Sequence, residues 1–153
     1  MSLTTARSRM TAVVGAISLL ACATTGGRAP ETASAAGLGD ARLAQIYLWR
    51  AKPGKLEEYT RYIRDVAEPI DEEARRAGAF VSVATYMASD TTVAWTHMRV
   101  FTLRDSAQLR ALGGALSAAG TRLQPDSVKR RQQSEYSATL RDRVGAVVAE
   151  LVR

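Results

Sequence analysis

We predict that the folded part of this chain is one α+β domain, spanning residues 41–153 of the 153 present. Two patterns indicate it. Apolar side chains recur every three or four positions over residues 56–77, as on one face of a helix, and several shorter runs are rich in aromatic and aliphatic residues and end at turn residues, as strands do. About 110 residues are enough for one modest hydrophobic core, and a second domain is not expected.

The first strand is expected at residues 43–52, because this run is rich in Ile, Tyr, Leu and Trp and ends before a Pro-Gly pair. The helix over residues 56–77 follows. Pro69 lacks a backbone N–H and lies inside the helical pattern, so we expect a kink near Ala67 or a division into two helices. Gly78 is typical of a helix C-terminus and should end this helix.

Two more strands are expected at residues 80–87 and 92–102, joined by residues 88–91, which are short enough for a hairpin. Side chains two apart on a strand share a face. His97 and Arg99 should therefore lie on the same side of the sheet.

Another long helix is expected from Asp105 or Ser106, and a further basic helix from Asp126 or Ser127, since all four side chains can cap a helix N-terminus. Residues 144–152 are ambiguous. Their apolar spacing suits a continuing helix, whereas their valine content favours a strand. We assign a strand, because it completes a sheet.

The resulting order is β-α-β-β-α-β, the ferredoxin-like unit, with an extra helical segment before the last strand. Over roughly residues 41–104 the sequence resembles the dimeric α/β-barrel superfamily, which includes antibiotic-biosynthesis-monooxygenase-like and NIPSNAP-like proteins. The features that carry the resemblance are the run Tyr47-Leu48-Trp49-Arg50-Ala51-Lys52-Pro53-Gly54-Lys55, the pair Glu68-Pro69, Gly78 and Phe101. The resemblance implies a sheet with helices on one face, whose other face meets a second subunit in a homodimer.

Residues 1–21 are typical of a signal peptide, since a short basic start precedes an uncharged apolar run of about a dozen residues. Such a run is too short to span a bilayer as a helix. Leu19, Ala21 and Cys22 match the lipobox of bacterial lipoproteins, in which cleavage follows the small residue and the thiol of the next cysteine receives a lipid. We therefore predict cleavage between Ala21 and Cys22, and lipidation of Cys22.

Residues 22–40 carry few large apolar side chains and should form a flexible tether. Ala23, rather than an aspartate, follows Cys22, and by analogy with Gram-negative lipoproteins this favours the periplasmic side of the outer membrane. An ordinary secretory signal cut after Ala23 or Ala35 is the alternative, and it would give a secreted or soluble periplasmic protein.

The composition limits the partners and cofactors. The chain has 21 Lys and Arg against 15 Asp and Glu, a formal net charge of +6, which suits contact with anionic lipid headgroups. An exported protein does not meet nucleic acid, so no such partner is expected. With one Cys and one His, the chain can form neither an internal disulfide nor a Cys/His zinc site on its own. We expect no metal and no cofactor.

We expect the helix-free face of the sheet to be aromatic and polar, on the assumption that the aliphatic Ile46, Leu48, Met98 and Val100 face the helices. Aromatic walls with a few convergent polar groups are typical of small-molecule pockets. Besides Ser82, this face would carry the ligand-binding candidates Tyr47, Trp49, Tyr86, Trp95, His97 and Arg99. The same residues could instead pack a dimer interface.

Two functions therefore remain open. The first is a non-enzymatic, lipid-anchored domain that binds a small apolar or aromatic ligand or self-associates. The second is a monooxygenase-like or isomerase-like enzyme using His97 and Arg99 beside Trp95 and Tyr47, since imidazole suits proton transfer near neutral pH. A lone strand histidine is nevertheless more often a hydrogen-bonded interior residue. Haem-degrading members of the superfamily use an Asn, a Trp and a His together, and this sequence has no Asn.

Overall fold

The computed structural model describes residues 39–152. The predicted signal peptide, Cys22 and nearly all of the predicted tether lie outside these residues. The elements of the described part are, in chain order, β1 Leu43–Ala51, α1 Leu56–Tyr62, a π-helical turn Ile63–Ala67, α2 Glu68–Arg76, β2 Ser82–Met87, β3 His97–Leu103, α3 Ser106–Leu123, α4 Ser127–Leu140 and β4 Arg141–Glu150.

The four strands form one antiparallel sheet in the order β2-β3-β1-β4. This is the strand order of a ferredoxin-like α+β fold, with α4 as the additional helical segment before the last strand. The choice of a strand over residues 144–152 is confirmed in kind, although β4 already begins at Arg141. β4 is a strand because it pairs along the whole length of β1, with an irregularity between Leu48 and Trp49.

Pro69 divides the first helical region, as expected. It lies in the first turn of α2, directly after the π-helical turn. In that turn the backbone N–H of Glu68 reaches the carbonyl oxygen of Ile63, five residues back. Gly78 follows the end of α2 with a φ of 79°, a backbone conformation that a glycine adopts without strain.

The two later helices begin where the sequence predicts. The Asp105 carboxylate accepts hydrogen bonds from the backbone N–H groups at the start of α3, and the Asp126 carboxylate does the same for α4. α4 then runs directly into β4, since Leu140 ends the helix and Arg141 begins the strand. The Lys52 N–H donates to the Leu140 carbonyl oxygen at 2.9 Å, which fixes this junction to the end of β1.

The hydrophobic core lies between the helices and one face of the sheet. Its larger cluster joins Phe101 and Leu103 of β3 to Ala74 of α2 and to Leu112 and Ala119 of α3. A smaller cluster brings Tyr59, Ile63 and Leu140 against Trp49 of β1. The helix-facing side of β1 is thus the one that carries Leu43, Tyr47 and Trp49.

The expected assignment of the two sheet faces is wrong for β1 and β3. Directly opposed residues of antiparallel strands share a face, and Tyr47 opposes Arg99 while Trp49 opposes His97. All four therefore face the helices. The aliphatic residues Ile46, Leu48, Met98 and Val100 lie on the helix-free face instead. Aromatic rings bury more apolar area than the aliphatic chains between them, and here the rings of Tyr47 and Trp49 pack against the core clusters beneath the helices.

Candidate functional site

The helix side of the sheet carries a group of polar side chains, which we call the polar cluster. Its members are Tyr59 and Thr60 of α1, Asp71 of α2, His97 and Arg99 of β3, Ser137 of α4 and Arg141 of β4. The strand alternation aims His97 and Arg99 at the helices, and the direct α4–β4 junction places Arg141 beside them.

His97 is only 1% exposed, and each of its ring nitrogens meets a threonine hydroxyl. Nε2 lies 3.0 Å from Thr60 Oγ1, and Nδ1 lies 3.0 Å from Thr96 Oγ1. The Thr60 hydroxyl donates its proton to the carbonyl oxygen of Leu56 at 2.8 Å, so it accepts from the Nε2–H of the imidazole. Nδ1 is then the nearer acceptor for the Thr96 hydroxyl, which also lies 3.3 Å from the Trp49 carbonyl oxygen, and a neutral ring can satisfy both of its hydrogen bonds.

The surroundings of His97 also favour its neutral form. Burial lowers its pKa, and the positive charge of Arg141 lowers it further. Four cavities in the described part of the chain have volumes of 320 to 590 Å³, and His97 lines none of them. A general base must come within hydrogen-bond reach of a substrate proton. His97 is therefore a hydrogen-bonded interior residue in this structure.

Arg99 and Asp71 form a buried ion pair, with Arg99 8% exposed and Asp71 3% exposed. The guanidinium Nη2 and the carboxylate Oδ2 are in direct contact. The guanidinium also lies 5.3 Å from the centre of the Phe101 ring, while its Nε has no hydrogen-bond partner among the described residues. Burial lowers the pKa of Arg99, because a low-dielectric environment penalises its charged form. Asp71 supplies the compensating charge that such a buried cation needs.

Arg141 is held on three sides. Its guanidinium lies 3.7 Å from the centre of the Trp49 ring, in a cation–π stack. Its Nη1 donates to Tyr59 Oη at 2.8 Å, and its Nε donates to Ser137 Oγ at 3.1 Å. These contacts fix both the plane and the rotation of the guanidinium. Its Nη2 has no hydrogen-bond acceptor among the described residues.

The other sequence-predicted candidates do not form one site. Tyr86 of β2 opposes Met98, so it lies on the helix-free face, as expected, and is 51% exposed. Trp95 was expected on a strand but lies in the connection between β2 and β3, because β3 begins only at His97. The expected cluster of Trp95, His97 and Arg99 around a cavity is absent from the cavities described above.

Sequence reasoning missed Asp71, Tyr59 and Arg141 as a functional set. One signal was present: Asp71 lies in the apolar stripe of the first helical region, between Ile63 and Ala74. A carboxylate in a buried stripe requires a buried cation, and a cation on the facing strand satisfies that requirement. Arg141 carried no such signal, because its position depends on where α4 ends.

Within residues 39–152, no group of three or more His, Cys, Asp or Glu side chains is arranged to hold a metal ion. No helix in the same part of the chain is long and apolar enough to cross a membrane.

The chain matches no protein-family model, and no curated protein matches it significantly. Solved structures do resemble it. HapK from Hahella chejuensis has a TM-score of 0.51 at 11% identity, covering 72% of this chain and 92% of that one. An ethyl tert-butyl ether D (EthD) family protein from Bacillus halodurans has a TM-score of 0.50 at 10% identity, covering 72% of this chain and 99% of that one.

A dimeric protein of unknown function with a ferredoxin-like fold, from Bacteroides fragilis, has a TM-score of 0.49 at 13% identity, covering 72% of this chain and 96% of that one. Identities this low speak for the fold and not for an activity. HapK and the EthD family protein thus share the overall architecture of the described domain.

Proposed function

We propose that this chain is an exported protein, anchored through a lipid on Cys22, whose ferredoxin-like domain forms a homodimer through the helix-free face of its sheet. We infer the dimer from the aliphatic side chains that cover that face. The observation that carries the anchor is the lipobox-like stretch that ends at Cys22.

The centre of the helix-free face consists of aliphatic side chains. Ile46 opposes Val100, and Leu48 opposes Met98. Val147 of β4 extends this surface and is 49% exposed. An antiparallel sheet with one solvated face normally carries polar residues there. A contiguous apolar patch on such a face marks an interaction surface.

Charge is confined to one end of this face. Among its paired strand positions the charged residues are Arg50, near the end of β1, and Asp142, near the start of β4, which oppose each other. Two copies packed face to face would bring aliphatic chains together at the usual sheet spacing of about 10 Å. An apolar centre with its charges kept to the margin is typical of homodimer interfaces. A second copy of this chain is therefore the occupant that this surface fits best.

The dimer is tested by placing a charge at the centre of the face. Val100→Asp should weaken dimerisation by about a hundredfold or more, because the interface would bury an unpaired carboxylate. Val148→Asp is the matched control, since Val148 opposes Gln45 on the other side of the sheet and is 51% exposed. Sedimentation analysis of the purified full chain should show a dimer for the control and a monomer for Val100→Asp. A monomeric unmodified chain, or two variants that behave alike, would contradict the proposal.

The anchor is tested separately in cells. Cys22→Ser should abolish labelling by radioactive or alkyne-tagged fatty acid and release the protein from the membrane fraction. Unchanged sedimentation with membranes would rule the anchor out and would leave the dimer untouched.

The same geometry gives no support to the enzyme alternative, which needed His97 and Arg99 at an open site. His97 has both ring nitrogens engaged with threonines, and Arg99 is paired with Asp71 beneath the helices. The helix-free face itself offers mainly aliphatic side chains and no convergent set of polar groups for a small ligand.

A further inference from the structure

A cavity of about 320 Å³ lies on the helix side, lined by residues of α1, α2, α3, α4 and the start of β4. It is separate from the proposed dimer face. Besides Tyr62, six of its lining side chains are polar or cationic: Ser117 of α3, Arg130, Gln133, Ser134 and Ser137 of α4, and Arg141 of β4. A volume of this size is at the lower end of small-ligand pockets, which begin at about 300 Å³.

Arg141 lines this cavity and has unused hydrogen-bond donors. A guanidinium has five N–H groups, and Arg141 uses one on Nε for Ser137 and one on Nη1 for Tyr59. Its Nη2 donates to no described residue. The stack on Trp49 already fixes the guanidinium plane, so ligand binding would cost little of the side-chain entropy of Arg141.

The cavity carries excess positive charge. No aspartate or glutamate lines it, whereas Arg130 and Arg141 both do. Neither arginine forms an ion pair within the described part of the chain: Arg130 donates to the carbonyl oxygens of Gln124 and Pro125, and Arg141 donates to hydroxyl groups. The carboxylate of Asp71 is engaged by Arg99. Two unpaired guanidinium groups at one cavity favour an anionic occupant.

The opposite wall is apolar. Tyr62, Ile70 and Leu116 line it, and Gly120 of α3 lies beside Ile70 of α2, where a Cβ on the glycine would be in ordinary van der Waals contact with Ile70 Cδ1 at 3.7 Å. An inorganic oxyanion has nothing to place against such a wall, while an organic acid does. We propose that this cavity binds a small organic carboxylate, with its carboxylate toward Arg141 and Arg130 and its apolar body against Ile70 and Leu116.

The probe is benzoate, titrated calorimetrically into the purified full chain, with benzamide and inorganic phosphate as comparison ligands. Benzoate should bind, and benzamide, which has the same ring but no charge, should bind at least about tenfold more weakly. Phosphate should also bind more weakly than benzoate, because it leaves the apolar wall uncovered. Phosphate binding as tight as benzoate binding would overturn the organic part of the proposal, and absence of benzoate binding would overturn all of it.

Matched variants locate the site. Arg130→Gln should weaken benzoate by about tenfold, while Arg131→Gln, one residue along the same helix and outside the cavity lining, should not change it. Ser134→Trp keeps both arginines and places a large ring at an exposed position of the lining, so it should block binding without unfolding the domain. Equal effects of Arg130→Gln and Arg131→Gln, or full binding by a folded Ser134→Trp variant, would show that the ligand lies elsewhere.

Discussion

Removing the charge of Asp71 should destabilise the domain more than any comparable change on its surface. Asp71→Asn keeps the size of the side chain and deletes its charge, leaving the Arg99 guanidinium buried without a counter-ion. Arg99 and Asp71 are 8% and 3% exposed, so water replaces little of the lost interaction. Breaking a buried pair by removing one partner costs about 3 to 5 kcal/mol, a large fraction of the stability of a domain this size.

The assay is urea unfolding at a fixed protein concentration, because dimerisation makes apparent stability depend on concentration. The control is Glu72→Gln, the next residue of α2. The side chain of Glu72 is 40% exposed and forms ion pairs with Arg75 at 2.8 Å and Arg76 at 2.9 Å, and solvent-screened pairs of this kind contribute little to stability. The midpoint of Asp71→Asn should fall well below that of Glu72→Gln.

A double variant separates loss of charge balance from loss of packing. Arg99→Met with Asp71→Leu removes both charges and keeps similar volumes, so it should recover most of the stability that Asp71→Asn loses. If the double variant is as unstable as Asp71→Asn, the buried ion pair is not the cause and the reasoning fails.

Three further outcomes are expected. His97 has a pKa below its ordinary 6.5 in the folded state, so the free energy of unfolding should fall as the pH drops below about 6.5, and His97→Gln should flatten that slope in pH-dependent denaturation. Gly78→Ala should lower the free energy of unfolding by about 1 kcal/mol, and with it the melting temperature, because the φ of this residue is 79°. Gly113→Ala, inside exposed helix with nothing within 4 Å of the new Cβ, should raise the melting temperature. Tyr59→Phe should lower the free energy of unfolding, measured by chemical denaturation, by about 1 kcal/mol, because Arg141 loses the hydroxyl that accepts its hydrogen bond at 2.8 Å. An unchanged free energy of unfolding would show that water replaces the hydroxyl fully.

The order and type of the elements could be predicted from the sequence, because helix and strand periods are local properties. Asp105 and Asp126 cap their helices as expected, and Pro69 divides the first helical region. The last strand was harder. Its valines suit either structure in isolation, and pairing with β1 decides the outcome.

The orientation of the sheet could not be predicted from alternation alone. Both sides of β1 are apolar, with Tyr47 and Trp49 on one and Ile46 and Leu48 on the other, so the period of two separates the faces without saying which is inside. The face of Tyr86 is predicted correctly, but its grouping with Arg99 is not. Tyr86 opposes Met98, not Arg99, and so lies on the helix-free face while Arg99 lies beneath the helices.

The most direct measurement on the proposed dimer is cross-linking through a single cysteine on the helix-free face. Val100→Cys in a Cys22→Ser chain should give a covalent dimer with a bismaleimide about as long as the ~10 Å spacing of packed sheets. Val148→Cys in the same background, on the helix side, should stay monomeric in the denaturing gel. Equal cross-linking of the two cysteines, or none at Val100→Cys, would contradict a dimer formed through this face.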